Sequence, residues 1–194
     1  MKLDLITNKI KVGVNINLND EYYTPIYAIE PLLQYLKPNS VIWCPFDLHI
    51  SNYVKVLEKA GHTVHCTHIE KGRNFFTELP PLGTDYIISN PPYSLKYEIF
   101  DRLFKLDIPF AMLVGVVGIF ESKERFTLFK NNNFEMMYFD KRVKYFKDYS
   151  NPHIYSSPPY SSVYICKDML PNRIVFENIN IPSNKGKLKN KNVQ

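Results

Sequence analysis

The sequence predicts an α/β fold built on one open, mostly parallel sheet. Short apolar runs of strand length alternate with amphipathic stretches of helix length along the 194 residues, as in crossover units that join parallel strands. This length is enough for one full α/β core and too short for a core plus a sizeable second lobe. We therefore expect a single domain over residues 1–182, followed by a basic tail, residues 183–194, that is disordered.

Six apolar runs predict the strands in chain order. The first four are Val41 to Cys44, Val64 to Ile69, Tyr86 to Ser89 and Phe110 to Val117. Two later runs, Phe134 to Phe139 and Ser161 to Cys166, predict two further strands. The polar and aromatic segment between these two, roughly residues 140–160, is expected to be a loop because it is rich in lysine, tyrosine and proline.

Helix start and stop residues separate these runs. Thr24 followed by Pro25 predicts an N-cap and first helical residue, opening a helix that is kinked at Pro31. Gly61 is expected to close the second helix in a left-handed conformation. Ser51 and Ser94 are expected to cap the next two helical stretches, and a short helix is expected around Ser122 to Lys130.

The composition is ordinary for a globular protein, with 45% hydrophobic and 22% charged residues. A formal net charge of +5 gives a mild preference for anionic partners. The cysteines Cys44, Cys66 and Cys166 are far apart and are interpreted as reduced core thiols. With no apolar leader and no apolar stretch near the roughly 18 residues of a membrane span, we expect a cytoplasmic protein without a membrane contact. The histidines form no ligand grouping, so no metal site is expected.

The most informative segment is the run from Asp85 to Tyr93, an apolar strand that leads into Asn90-Pro91-Pro92-Tyr93. Two prolines fix φ and remove two backbone donors, so the loop presents carbonyl groups and the Asn90 amide. Ligands of open α/β sheets bind at the carboxyl ends of the strands. A rigid turn with a core tyrosine is the alternative interpretation.

With this motif the chain resembles the amino-group methyltransferases, class I enzymes that use S-adenosylmethionine to methylate adenine N6 or cytosine N4. Tyr23-Thr24-Pro25 and Asp140-Lys141-Arg142 make it similar to the small adenine methyltransferases common in phages. The resemblance implies a three-layer α/β/α, Rossmann-like sheet of seven strands with a reversed last strand. The runs Phe134 to Phe139 and Ser161 to Cys166 would supply its antiparallel pair.

The resemblance implies methylation of adenine N6 in DNA. The target base would be flipped or already single-stranded, since its amine is out of reach in a duplex. A protein partner could supply target recognition, and the biological setting would be restriction-modification, with protection of DNA in a phage-infected host. Cytosine N4 or an RNA base is the alternative within the class. A catalytically inactive protein that keeps the fold to bind nucleic acid or protein is the alternative of another class.

The loop suits chemistry on a base amine, whose lone pair is delocalised into the ring. Asn90 Oδ1 and the Pro91 carbonyl would accept the two N–H protons and stabilise the positive charge that grows on nitrogen. Pro92 would hold the loop rigid. Tyr93 would stack on the base.

Candidate cofactor residues follow the other predicted strands. Glu70 is the candidate for the ribose hydroxyls, with His68 in its place if the second strand ends early. Asn74 and Phe75 stand where the family binds the adenine of the cofactor. The loop after the first strand, which includes Pro45 and Asp47, lacks the family's usual glycines. The remaining candidates would surround the methionine part: Asp47 at the ammonium group, with Tyr23 and Thr24 as lining.

A basic and aromatic stretch predicts the nucleic-acid contact. Its residues are Lys141, Arg142, Lys144 and Tyr145. Such a mixture suits phosphates and unstacked bases. An amphipathic loop that covers the sheet edge is the alternative.

Overall fold

The computed structural model describes residues 23–146, the backbone of 155–156, and residues 160–182. The strands within them are β1 Val41–Cys44, β2 Thr63–Cys66, β3 Tyr86–Ser89, β4 Phe110–Gly115, β5 Glu135–Phe139, β6 Tyr145–Phe146, β7 Tyr155–Ser156, β8 Ser162–Lys167 and β9 Ile174–Glu177. The α-helices are α1 Ile26–Ile29, α2 Asn52–Lys59, α3 Lys96–Leu106 and α4 Lys123–Lys130. The predicted disordered tail, residues 183–194, lies outside the described residues.

Seven strands form one sheet in the order β2-β1-β3-β4-β8-β5-β9, and β6 pairs separately with β7. The strands β2, β1, β3 and β4 are mutually parallel. Strand β8 runs antiparallel to both of its neighbours, β4 and β5. The predicted α/β sheet with one reversed strand is therefore confirmed. Strand β9, which pairs parallel with β5, was not expected from the sequence, because it is a four-residue edge strand with partly exposed side chains.

Helices cover both faces of the sheet, as a three-layer α/β/α architecture requires. Residues of α1 and α2 pack with Ile88, Ala111 and Leu113 in one apolar cluster. Residues of α3 and α4 pack with Ile87, Met112 and other residues in a second cluster. Alternate residues of β3 and β4 thus face opposite layers, which fixes the register of the buried strands.

The first helical segment differs from the single kinked helix expected. Helix α1 has four residues and continues as a 3₁₀ helix over Glu30–Tyr35. Pro31 lies at the start of that segment, where its missing N–H and its ring oppose α-helical continuation. Pro25 is the N-cap and makes no side-chain capping bond, so the prediction that Thr24 caps this helix is wrong.

Of the two predicted serine caps, the one at Ser51 is confirmed, and Ser122 is a further cap that was not predicted from the sequence. Ser51 accepts a hydrogen bond from the Val54 N–H at 3.3 Å, and Ser122 accepts one from the Arg125 N–H at 3.2 Å. Ser94 caps nothing, because it lies inside a 3₁₀ turn, Tyr93–Leu95, that precedes α3. Gly61 closes α2 with a φ of +91°, as predicted.

The second strand ends earlier than expected. Strand β2 stops at Cys66, and a 3₁₀ turn over Ile69–Lys71 follows. The Thr67 hydroxyl accepts a hydrogen bond from Trp43 Nε1 at 3.0 Å, which holds the chain at the end of β1. The predicted loop over 140–160 contains β6 and β7. Within the described residues, no helix is long and apolar enough to span a bilayer.

Candidate active site

The Asn90 loop follows directly on β3, near the middle of the sheet. The chain passes from β1 to β2 on one side and returns to β3 on the other side of β1, so the order of strands reverses between β1 and β3. Ligands of open α/β folds bind at such a switch point, outside the carboxyl ends of the strands. Asn90 is partly exposed, its Oδ1 atom is buried, and Pro91 is buried. The loop therefore lies where this fold class binds ligands.

Asp47 lies at the same switch point, on the loop that follows β1. It is only 8% exposed, and its carboxylate accepts a hydrogen bond from the hydroxyl of Ser89, the residue before Asn90. Burial raises the pKa of Asp47 from 3.8 to about 6, and hydrogen bonds from Ser89 and Ser51 lower it only in part. A buried carboxylate of this kind is stabilised by a cation, which the described residues around it do not supply.

Thr24 joins the same group of residues through the start of α2. Its backbone carbonyl accepts a hydrogen bond from Asn52 Nδ2 at 2.9 Å. Asn52 is next to Ser51, which also bonds Asp47. The Thr24 hydroxyl oxygen is buried and makes no hydrogen bond within the described part of the chain. Tyr23, beside it, bonds the Phe146 carbonyl through its N–H at 2.9 Å.

The residues around Asp47 can be compared with the methionine part of S-adenosylmethionine, the cofactor that the sequence resemblance implies. The ammonium group of that part needs an acceptor, which the Asp47 carboxylate supplies. The orphaned Thr24 hydroxyl can supply a further polar contact, since a buried hydroxyl without a partner costs about 1–3 kcal/mol. Pro45 is buried at the start of the same loop. The loop has no glycine, yet it brings Asp47 inward, so these residues fit an amino-acid group.

Tyr93 begins the 3₁₀ turn after the two prolines. Its hydroxyl donates to the Tyr145 hydroxyl at 3.3 Å, and Tyr145 donates to Ser162 Oγ at 2.7 Å. Burial raises the pKa of Tyr93 well above its ordinary value, and Tyr145 adds to this effect. Tyr93 is therefore a neutral ring and not a proton acceptor at neutral pH.

Tyr145 is fully buried, which corrects its prediction as a nucleic-acid contact. The sequence could not reveal this, because an aromatic residue among lysines suits a solvated loop and an edge strand equally well. Lys141, Arg142 and Lys144 are exposed. Lys141 Nζ donates to the Ile179 carbonyl at 3.0 Å and pairs with Asp140 at 2.8 Å. The stretch thus contacts the sheet edge through part of its polar groups, as in the alternative interpretation.

Glu70 is exposed and lies four residues beyond the end of β2. Its carboxylate is 3.8 Å from His68 Nδ1. Because β2 ends early, Thr67 and His68 are nearer to the strand end than Glu70. The structure therefore does not place Glu70 directly after the strand, where a ribose ligand was expected.

Asn74 and Phe75 lie in a turn beside the end of β1. Asn74 Oδ1 accepts the Phe76 N–H at 3.0 Å, which stabilises this turn. Phe75 is only 2% exposed, with its ring packed on Trp43 and Phe46 at centroid distances of 5.5 Å and 4.9 Å. Phe75 is thus a core residue, and its predicted contact with the adenine of the cofactor is not supported by its burial.

Two residues of the site were missed by sequence reasoning. Ser51 was interpreted as a helix cap alone, although it also bonds Asp47. Ser89 was interpreted as the last residue of a strand, although its hydroxyl holds the same carboxylate. A polar residue at the end of an apolar strand, directly before the motif, was the available signal for Ser89. In the described residues, no group of three or more His, Cys, Asp or Glu side chains could hold a metal ion.

Comparisons with known proteins add a fold likeness. No family profile matches this sequence, and no curated protein matches it. Among solved structures, the chain is similar to a "modification subunit of a putative type I restriction enzyme" from Vibrio vulnificus YJ016, with 10% sequence identity and a TM-score of 0.49. The likeness covers 95% of this chain and 51% of that chain, so this chain spans about half of its length. At this level the likeness says nothing about the chemistry of the site.

A second tyrosine, Tyr160, contacts the ring of Tyr93. The ring of Tyr160, which follows Ser157-Pro158-Pro159 in the sequence, lies 6.1 Å from the Tyr93 ring in an edge-on arrangement. Gly115, the last residue of β4, lies beneath Tyr160: a Cβ atom there would be 2.4 Å from Tyr160 Cε2. The glycine therefore allows the Tyr160 ring to reach Tyr93.

Gly115→Ala is expected to destabilise the protein by about 1–3 kcal/mol, because the added methyl group overlaps the Tyr160 ring. In a Tyr160→Ala background the same substitution is expected to be nearly neutral, since the overlapping ring is gone. Denaturant unfolding of the two single variants and the double variant measures this coupling. Equal costs of Gly115→Ala in both backgrounds would show that the ring does not occupy this position.

Proposed function

We propose that this protein is an S-adenosylmethionine-dependent methyltransferase that transfers a methyl group to the exocyclic N6 amine of adenine in DNA. The observation that carries the proposal is the position of the Asn90 loop. Two acceptors fixed by prolines, Asn90 Oδ1 and the Pro91 carbonyl, follow β3 at the switch point of the sheet. The Asp47 carboxylate accepts a hydrogen bond from Ser89, the residue before Asn90.

The loop acts on the amine through its acceptors. Asn90 Oδ1 and the Pro91 carbonyl each accept one N–H of the target amine, which draws the lone pair out of the ring. As the nitrogen gains positive charge, these oxygens stabilise it more strongly than they bind the neutral amine. Pro92 keeps the geometry fixed, and the neutral ring of Tyr93 packs on the base. A strong base is not needed, because the amine becomes acidic only once methylated.

The cofactor supplies an electrophilic methyl group on a sulfonium. Asp47 would hold its ammonium group, and Thr24 and Tyr23 would line the methionine part, with Pro45 beneath. Asn74 is the remaining candidate for its adenine, since Phe75 is buried. Lys141, Arg142 and Lys144 are exposed and remain candidates for contacts with nucleic-acid phosphates.

A catalytically inactive nucleic-acid-binding protein is the second candidate. The burial of Phe75 and the exposure of Glu70 favour it, because both depart from the pattern expected for an adenosine pocket. Within the enzyme class, cytosine N4 or an RNA base is the alternative, since the loop recognises an amine and a ring and does not distinguish the bases.

Incubation with methyl-labelled cofactor and unmethylated DNA, followed by digestion to nucleosides, tests the proposal. Labelled N6-methyladenosine in its deoxy form is the expected product. Labelled N4-methylcytosine would assign cytosine as the target base. Label that is transferred only in a parallel incubation with RNA would assign RNA as the substrate. Transfer to no nucleic acid, together with no heat of binding for S-adenosylmethionine in calorimetry, would favour the inactive protein.

A further inference from the structure

Lys96, the first residue of α3, is fixed beside the Asn90 loop. Its Nζ donates a hydrogen bond to the Val117 carbonyl at 2.8 Å. The same ammonium group lies 5.5 Å from the centroid of the Tyr93 ring, within the range of a cation–π contact. The charge of Lys96 is therefore held next to the tyrosine that is proposed to contact the target base.

Arg125 supplies a second positive charge from the first turn of α4. Its Nε atom is buried and makes no hydrogen bond within the described residues. Neither Lys96 nor Arg125 forms an ion pair within 4.0 Å among the residues that the structure describes. The buried Nε–H of Arg125 is costly, because it has lost its hydration without a compensating bond.

The two charges act on each other. Burial lowers the pKa of Lys96, the charge of Arg125 lowers it further, and Glu121 opposes this effect. The Glu121 carboxylate accepts the Gly118 N–H at 3.1 Å, so the turn between β4 and α4 holds it in place. The charge of Arg125 thus affects Lys96 more than the charge of Glu121 does. An anion placed between the two cations would remove the repulsion.

The neighbouring surface indicates which anion fits. Val117, whose carbonyl accepts the bond from Lys96, is 54% exposed, and Phe126, which follows Arg125 in α4, is 57% exposed. Exposed apolar side chains can pack on unstacked bases, while neighbouring positive charges bind the phosphates that join those bases. Guanidinium and ammonium groups are the usual ligands of phosphate oxygens. The cofactor carries no phosphate, so a phosphate at this place would come from the nucleic acid.

We propose that Lys96 and Arg125 form a phosphate-binding site beside Tyr93, which holds the backbone of the DNA strand that presents the target base. The inference rests on the proposed function, because it takes Tyr93 as the contact with that base. Holding the adjacent phosphate would position the target nucleotide over the Asn90 loop, whatever its flanking sequence.

The test measures binding of an unmethylated single-stranded DNA oligonucleotide by fluorescence anisotropy between about 50 and 200 mM salt. Lys96→Gln and Arg125→Gln are each expected to weaken binding and to reduce the slope of log K against log salt by about 1, and the double variant by about 2. Lys105→Gln is the matched control, because Lys105 lies on the same helix but is exposed and pairs with Asp101 at 2.5 Å. It is expected to leave the slope unchanged.

Two further measurements separate this site from the function on which it rests. Calorimetry with S-adenosylmethionine is expected to give equal affinities for the wild type and both variants; a loss here would assign the cations to the cofactor and overturn the proposal. Inorganic phosphate is expected to compete with the oligonucleotide in the wild type more strongly than in the double variant. Unchanged salt slopes in a protein that methylates DNA would refute the phosphate site and leave the enzyme in place. Reduced slopes in a protein that transfers no methyl group would support the site and refute the enzyme.

Discussion

Asn90→Ala is expected to reduce the rate of methyl transfer at saturating DNA by roughly 100-fold to 1,000-fold, the usual effect of removing one group that stabilises charge in a transition state. The loss should appear in kcat more than in KM, since Asn90 Oδ1 binds the charged nitrogen more strongly than the neutral amine. Single-turnover transfer of labelled methyl groups to an oligonucleotide measures it.

The matched control is Asn133→Ala, a change of the same side chain at an exposed position after α4. It should leave transfer unchanged. Asn90→Asp keeps an acceptor oxygen and is expected to retain more activity than the alanine variant, provided that both melt at the wild-type temperature. An Asn90→Ala protein with wild-type kcat would contradict the proposed role of the side chain.

Asp47→Asn is expected to raise the free energy of unfolding at pH 7 to 8 and to weaken the binding of S-adenosylmethionine. The rise of the Asp47 pKa from 3.8 to about 6 corresponds to roughly 3 kcal/mol, taken as an upper bound, that ionisation of this buried group costs the folded state. The neutral amide avoids this cost and can still accept a hydrogen bond from Ser89. It lacks the charge that would hold an ammonium group.

The direction of the pH dependence follows from the raised pKa. Between about pH 4 and 6 the folded protein holds the Asp47 proton more tightly than the unfolded chain does. The contribution of this group to stability is thus complete below about pH 4 and is lost as the pH rises through 6. Urea unfolding should show nearly equal stabilities for the variant and the wild type at pH 4, a difference that grows between pH 4 and 6, and a constant difference above about pH 6.

A control of opposite sign is Asp107→Asn. Lys167 lowers the pKa of the exposed Asp107 carboxyl through a hydrogen bond at 2.6 Å. Its small contribution is present at neutral pH and is lost as the pH falls through the lowered value, so this variant should be slightly less stable at pH 7. An Asp47→Asn protein that is less stable than the wild type at pH 7 would contradict the conclusion that ionisation of the buried Asp47 carboxyl destabilises the fold.

The sequence was sufficient for the features that depend on local chemistry. Short, continuously apolar runs between helical stretches located β1, β3 and β4, because parallel strands that are buried on both faces are apolar along their length. Ser51 was predictable as a cap because the capping bond closes within three residues. The position of Asn90 after β3 followed from the same pattern.

The features that were missed depend on contacts between distant segments. The end of β2 is set by the bond of Thr67 to Trp43, which are 24 residues apart. The burial of Phe75 depends on Trp43 and Phe46, and an aromatic residue that packs in a core looks the same in sequence as one that stacks on a ligand. The raised pKa of Asp47 likewise arises only when β1 and β3 lie side by side.

The placement of β8 between β4 and β5 has a consequence for synthesis of the protein. The chain produces both neighbours before residues 162–167, the strand that must separate them. During translation β4 therefore presents an unpaired edge, and β5 has no partner at all, because both of its neighbours, β8 and β9, come later in the chain. The final contacts are made over long sequence separations, and until β8 is synthesised these unpaired strands expose the nascent chain to aggregation.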